Sequence, residues 1–359
     1  MKLAIRSAIV ALVGLALVAC GELPATSTGA VLGKKVAFLV PDAKTDRFDS
    51  KDRPFFEAKI SSLCSSCETI YSNANQDAVT QQKQADAALA AGVKAIVLDP
   101  VDRQAASDIV AKAAKRGVPV IAYDQLIVNS ASLNYFVGFD AEAVGVMQGT
   151  SLLKRLGTQG TPTVVMINGD AQDPQADLLK KGAHSVLDGK VKVANEYDAA
   201  GWSSDRAMEL MTQALTALNN KVDGVYAASD TLATGAILAL KQAKVSPLPA
   251  VTGGDADLEA IQRVVAGEQY MTVYKAIKQE AETAAQLAYQ LAYGIAVPAA
   301  ATNGKTVNNG ARDVPALLVP PMEVTRKTMV STVLADGYWR RSDICTGPYV
   351  TACRSAGIG

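Results

Sequence analysis

Residues 95–124, AIVLDPVDRQAASDIVAKAAKRGVPVIAYD, decide the fold. Ala95-Ile-Val-Leu-Asp reads as a buried strand, Ala105 to Lys115 as a helix, and Val118-Pro-Val-Ile-Ala-Tyr-Asp as another strand. The strands are apolar along their length instead of alternating, the pattern of strands covered on both faces. Strands of that kind joined through a helix lie parallel, and each here runs out into polar residues.

The same alternation continues in both directions. Lys35-Val-Ala-Phe-Leu-Val is a strand and Arg53 to Ser62 a helix. A new series opens with the strand Thr163-Val-Val-Met-Ile-Asn, a helix through Leu178 to Leu187 and the strand Val191-Lys-Val-Ala. Strands at Val222 to Ala228, Ala250 to Gly253 and Met271 to Tyr274 follow, with helices at Ser203 to Leu218, Leu232 to Ala243 and Leu258 to Ala266. Two such series in 359 residues, at about 150 residues per domain, give an α/β chain with two doubly wound parallel-sheet lobes.

The amino terminus stands apart from this pattern. Lys2 and Arg6 precede an apolar run from Ala8 to Ala19, the layout of an export signal and too short for a permanent membrane helix. The run ends in Leu17-Val18-Ala19-Cys20, which resembles a bacterial lipobox, so Cys20 is the expected lipid anchor. Residues 21–33, GELPATSTGAVLG, have the composition of a flexible tether. Cys64, Cys67, Cys345 and Cys353 remain, an even number that export permits to pair. The local pairings need the least loop closure, although three connectivities are open. With one histidine in the chain and no second Cys-x-x-Cys, zinc and thioredoxin-like readings are weak.

In open α/β sheets ligands gather beyond the carboxyl ends of strands. The residues there are Asp42 and Arg47, Asp99 and Asp102, and Tyr123-Asp124-Gln125 in the first half. The second half contributes Asp170 and Asp173, Gly201-Trp202, Ser229-Asp230, Gly254-Asp255 and Lys275. A sugar hydroxyl both donates and accepts, so a sugar site needs acceptor-only carboxylates beside donor-only Arg and Lys, with amides. Its apolar C–H faces can lie on Phe48, Tyr123 or Trp202. Any one acidic strand end is more simply a helix N-cap; the coincidence across both halves points to a ligand.

Other chemistries are poorly supplied. Acidic and basic residues are equal in number, which gives no electrostatic footprint for nucleic acid. His184, the single histidine, sits inside a helix-like stretch, so a serine nucleophile with a histidine base is hard to assemble. Asn303-Gly-Lys-Thr306 resembles the end of a phosphate loop, but Ala299 stands where the first glycine belongs. The acidic runs at 170–177 and 253–259 lack the Gly and Glu that an EF-hand loop needs at its sixth and twelfth positions, and no cofactor or metal is expected. An exported glycoside hydrolase built on paired carboxylates is the rival reading of a different class.

These strand-end residues resemble the type I periplasmic sugar-binding proteins of ABC importers, closest to the D-xylose-binding proteins. The likeness is carried by Asp46-Arg-Phe, Lys51-Asp-Arg, Val120-Ile-Ala-Tyr-Asp, Phe139-Asp140 with Val144-Gly145, and Asp198-Ala-Ala-Gly-Trp202. It continues through Thr234-Gly-Ala-Ile237, Gly254-Asp-Ala-Asp-Leu258 and Met271-Thr-Val-Tyr-Lys275. The resemblance implies that Arg47, Asp124, Asp173, Trp202, Asp230, Asp255 and Lys275 face a monosaccharide. Gln125, Gln175 and Ser229 stand where the family pattern has an arginine and two asparagines, so the sugar is left open among xylose and related pentoses or hexoses. It further implies a monomer that closes by a hinge and delivers to an ABC permease. Residues 34–140 with 276–315 would form the first lobe and 141–275 with 316–343 the second. Residues 344–359 lie outside the resemblance as a C-terminal extension. A sugar-binding partner of a chemoreceptor would share all these features.

Overall fold

The computed structural model describes residues 33–42, 47–157 and 159–358. The export signal, Cys20, the tether up to residue 32, and Asp46 lie outside the described residues.

The first lobe is built on strands β1 (Lys35–Val40), β2 (Glu68–Asn73), β3 (Ala95–Leu98), β4 (Val120–Tyr123) and β5 (Tyr135–Phe139). All five run parallel, with Phe38 opposite Val97 and Val97 opposite Ile121. Ala37, Phe38, Leu39, Ile96, Val97 and Ile121 are fully buried, as continuous apolar strands require when both faces are covered. Helices Arg53–Leu63 and Ile277–Tyr293 share a core with Phe38, whose ring stacks on Phe56 at 4.5 Å. Helices Ala78–Ala90 and Ala106–Lys115 close a second core around Ile96 and Leu98.

The second lobe carries β6 (Thr163–Asn168), β7 (Lys192–Asp198), β8 (Gly224–Ala227) and β9 (Ala250–Val251), parallel in the order β7-β6-β8-β9. Its helices Ala141–Leu156 and Pro174–Leu187 pack backbone to backbone. A Cβ on Gly145 would lie 1.9 Å from the Leu179 carbonyl, and one on Gly182 would lie 2.1 Å from that of Glu142. Only glycine permits that approach.

The sequence reading expected parallel sheets, but two strand pairs are antiparallel. β10 (Thr272–Tyr274) pairs antiparallel with β13 (Met322–Val324), and β11 (Thr306–Asn308) pairs antiparallel with β12 (Asp313–Val319). The turn between β11 and β12 is short, and a short turn can only join antiparallel strands. β12 then lies parallel to β5 and completes a seven-stranded sheet, β11-β12-β5-β4-β3-β1-β2. This strand carries the first sheet to Val319, past the boundary expected at Pro315. The ribbon of β10 and β13 is tied beside β9 by bonds from Tyr270 N to the Val251 carbonyl (3.0 Å) and Val273 N to the Gly253 carbonyl (3.2 Å). The chain therefore crosses between lobes after β5, after β10 and after β12.

The C-terminal segment packs on the second lobe. Ile344, Cys353 and Ile358 share a core with Ile261, Val264 and Val265 of helix Leu258–Ala266. Cys345 is bonded to Cys353 and Cys64 to Cys67.

Candidate ligand-binding site

Arg47 is the hub on the first lobe. It enters a wide helical turn, Phe48–Asp52, that leads into helix Arg53–Leu63 and folds Asp52 back onto it. Nε and Nη2 of Arg47 donate to the two oxygens of Asp52 at 3.1 and 2.8 Å, a two-bond fork. Nη2 also reaches Glu280 at 3.3 Å, and Nη1 reaches Asp124 at 3.1 Å. Tyr123 donates to Asp52 at 2.5 Å. Burial works against the arginine's charge, but Asp124, Asp52 and Glu280 outweigh it and hold the pKa well above the ordinary value. Asp124, at the end of β4, has a left-handed backbone (φ 58°), a conformation that costs a non-glycine residue about 1 kcal/mol or more and is typical of working sites.

Two further acids surround this hub. Asp99 is 1% exposed and neither of its carboxyl oxygens has a hydrogen-bond partner among the described residues; the same holds for one oxygen of Glu280. Burial first, and Asp124 next, push both carboxyls well above the usual carboxylate range, toward the neutral form. Phe48 is not presented to the cleft as its sequence position suggested. It is buried in the first-lobe core, and the Arg47 guanidinium lies 5.0 Å from its ring.

On the second lobe, Lys275 follows β10 and pairs with Asp255 at 2.9 Å, which, against burial, raises the lysine's pKa. Asp255 and Ala256 both have positive φ (98° and 57°), and Asp230 holds this loop in place. Asp230 does not face a ligand as the resemblance implied. It is 1% exposed, and its carboxyl accepts from Gln269 Nε2 (2.8 Å), Thr272 Oγ1 (2.8 Å) and Asp257 N (3.0 Å). A Cβ on Gly253 would lie 2.1 Å from it, so the loop lies directly on this side chain. Ser229 is likewise buried and caps helix Asp230–Gln242 through Leu232 N.

Trp202 lies across the end of β6, where a Cβ on Gly169 would meet its ring at 2.2 Å. Asp170 sets this turn by accepting from Gly201 N at 2.5 Å, and Trp202 itself has φ 54°. Asp173 caps helix Pro174–Leu187 through Gln175 N at 2.9 Å, and Asp102 accepts from Gln104 N and Ala105 N in the turn ahead of helix Ala106–Lys115. Gln125 is half-buried beside Asp124, its N–H on the Tyr123 carbonyl. His184 is half-buried and bonds Asp188 and Glu196, away from the cleft.

Asp124 and Phe139 of the first lobe, Gln175 and Leu179 of the second, and Lys275 at the crossing converge on one gap of about 20 Å³. That is room for roughly one water, so a sugar entering here must part the lobes or displace the two ion pairs. Asp52 and Glu280 were missed in sequence because each reads as an ordinary helix acid; their burial is the only signal. No group of His, Cys, Asp and Glu able to hold a metal occurs among the described residues.

A strand-end site at the junction of two doubly wound lobes with three crossings is the plan of a periplasmic binding protein. Residues 36–296 match the family model for the periplasmic binding protein domain, and the chain belongs to that family. The D-xylose-binding periplasmic protein of Escherichia coli (strain K12) is 36% identical over 315 residues, covering 86% of this chain and 92% of that protein. The D-xylose-binding periplasmic protein of Haemophilus influenzae is 34% identical with the same coverage. Among solved structures, an ABC transporter solute binding protein from Clostridium phytofermentans with bound β-D-glucose is similar with a TM-score of 0.74 and 25% identity. That likeness covers 87% of this chain and 100% of the other.

Proposed function

We propose that this chain is the lipid-anchored sugar-binding component of an ABC-type importer. It takes xylose or a related pentose or hexose between its lobes by hinge closure. The observation that carries the reading is the convergence of donor-only Arg47 and Lys275 with acceptor-only Asp124 and Asp255 where the lobes meet. A polyol can exchange partners with both ion pairs at once, its hydroxyls donating to each carboxylate and accepting from each cation. Trp202 offers the apolar face for the ring. The half-buried amides Gln125 and Gln175 tune which hydroxyl pattern fits.

In this reading Cys20 is acylated after export, the body acts as a monomer, and the closed form is presented to a membrane permease. The site serves capture and not catalysis, so a bound sugar leaves unchanged. Thermal unfolding of the mature protein lacking Cys20, with xylose, arabinose, ribose, glucose, galactose and fucose, tests it. A ligand held only by the folded state stabilises by about 2.7 kcal/mol at a hundredfold excess over Kd. A shift with none of these sugars overturns the proposal, and release of reducing sugar from glycosides would replace it with a hydrolase.

A further inference from the structure

A lysine ties the two lobes together at the edge of the cleft. Lys51 lies in the first-lobe turn Phe48–Asp52, the turn that folds Asp52 onto Arg47. Its ammonium donates to the Tyr338 carbonyl at 2.8 Å, across 287 positions of sequence. The same ammonium stands 5.6 Å from the Tyr338 ring and 5.4 Å from the Trp339 ring. A cation within about 6 Å of an aromatic ring is attracted by the ring's negative face, and a bond from a charged donor is stronger than one from a neutral donor. Tyr338 is buried in the second lobe, where it shares a core with Ile261 and Val264 and its ring lies 4.9 Å from that of Tyr274 in β10. The grip on Lys51 is therefore made by a fixed wall.

Trp339 carries the contact onward. Its ring meets Tyr338 edge-on at 5.2 Å, and its Nε1 donates to the Ala256 carbonyl at 2.8 Å. Asp255 and Ala256 both have positive φ, a conformation that persists only where the surroundings hold it. Trp339 supplies one such hold on the Asp255 loop, from the same segment that grips Lys51. A continuous set of contacts thus runs from the turn beside Arg47, through Lys51 and Trp339, to the loop of Asp255. These side chains line the same cleft as Arg47, Asp255 and Lys275, which widens beyond the gap to about 530 Å³.

Resting on the proposed sugar-binding function, we infer that Lys51 is a latch between the lobes and a positioning residue for the site. It holds the lobes together by its bond to Tyr338, and through Trp339 it couples that hold to the Asp255 loop. A sugar held between the lobes leaves when they part, so the strength of the latch sets how long it is held.

Two variants of the mature protein test this. Lys51→Met keeps the apolar stem and removes the charge and the donor; Lys51→Arg keeps both. Release is followed by stopped flow with whichever of xylose, arabinose, ribose, glucose, galactose and fucose shifts the thermal melt. Lys51→Met should release that sugar about tenfold faster than the wild type, with little change in melting temperature without sugar, and Lys51→Arg should release it near the wild-type rate. Wild-type release by Lys51→Met, or equally fast release by Lys51→Arg, overturns the latch and leaves the sugar-binding function standing. If none of the six sugars binds, that function falls, and small-angle scattering without sugar decides the latch: a larger radius of gyration for Lys51→Met than for the wild type supports it, and equal radii overturn it.

Discussion

The guanidinium of Arg47 and the carboxyl of Glu280, 233 positions apart, meet at 3.3 Å inside the first lobe. Glu280 belongs to the helix that follows the second crossing, so the cleft-side arginine is held by the element that leaves the cleft. With Asp52 forking onto Nε and Nη2, the guanidinium plane is fixed and Nη1 is left toward Asp124 and the cleft.

Removing the charge of Asp52 should therefore weaken sugar binding more than altering Glu280. Charge-assisted hydrogen bonds contribute about 1.5 to 3 kcal/mol each, so Asp52→Asn is expected to lower affinity roughly tenfold or more. Burial already pushes Glu280 toward its neutral form, and Glu280→Gln should cost less than Asp52→Asn. Titration calorimetry on both variants measures the order; the reverse order would show that Glu280 carries the charge that holds Arg47.

Asp230 should behave as a structural residue. Asp230→Ala strands Gln269 Nε2, Thr272 Oγ1 and Asp257 N in a buried setting and is expected to cost about 2 to 4 kcal/mol of stability by denaturant unfolding. Asp255→Ala, by contrast, should abolish sugar binding with a much smaller stability loss. Equal destabilisation by the two would contradict the division of labour between them.

Asp257 supplies a pH dependence. Burial, then Asp255 and Glu259, push its carboxyl up to about 6. The folded value lies above the unfolded one of about 3.9, so the folded state binds more protons between those values and stability falls as pH rises through that window. Asp257→Asn should raise stability by about 1 kcal/mol at pH 7.5 and give no gain at pH 4. Thermal melts of both proteins across pH 4 to 8 measure the difference, and a gain that persists at pH 4 would assign the effect to packing instead.

The Cys345–Cys353 bond closes a loop of sequence separation 8 around core residues of the second lobe. Loop entropy gives it about 2.5 kcal/mol. A Cys345→Ser, Cys353→Ser variant should lose stability of that order by denaturant unfolding. Because Trp339 and the packed segment sit on the helix beside the Asp255 loop, its sugar affinity should also fall. Unchanged affinity would separate this segment from the site.

The extent to which the fold could be read from sequence follows the locality of each signal. Lys35–Val40 and Thr163–Asn168 are strands in the expected bounds, because buried parallel strands carry their apolar run within themselves. Helix Ala78–Ala90 carried no reading: it buries alanines and Gln81 among other small and polar residues, so its apolar face is faint. Tyr135–Phe139 was missed as well, a five-residue strand whose ends are only half-buried.

The candidate site divides in the same way. Asp124, Asp255 and Lys275 stood out because polar residues at the ends of apolar strands are visible in a linear pattern. Asp230 and Ser229 have that same pattern, yet Asp230 is consumed by Gln269, Thr272 and Asp257, and Ser229 by its helix cap. Sequence alone determined the α/β class and the two series of strands, and it singled out the strand ends as the candidate zone for a ligand, since periodicity and strand-end polarity are local properties. Tertiary structure decided which of those polar groups face the cleft and that Asp52 and Glu280 hold Arg47. Those outcomes depend on contacts between segments tens to hundreds of residues apart, where burial and hydrogen-bond partners are set by packing and leave no mark on the neighbouring residues.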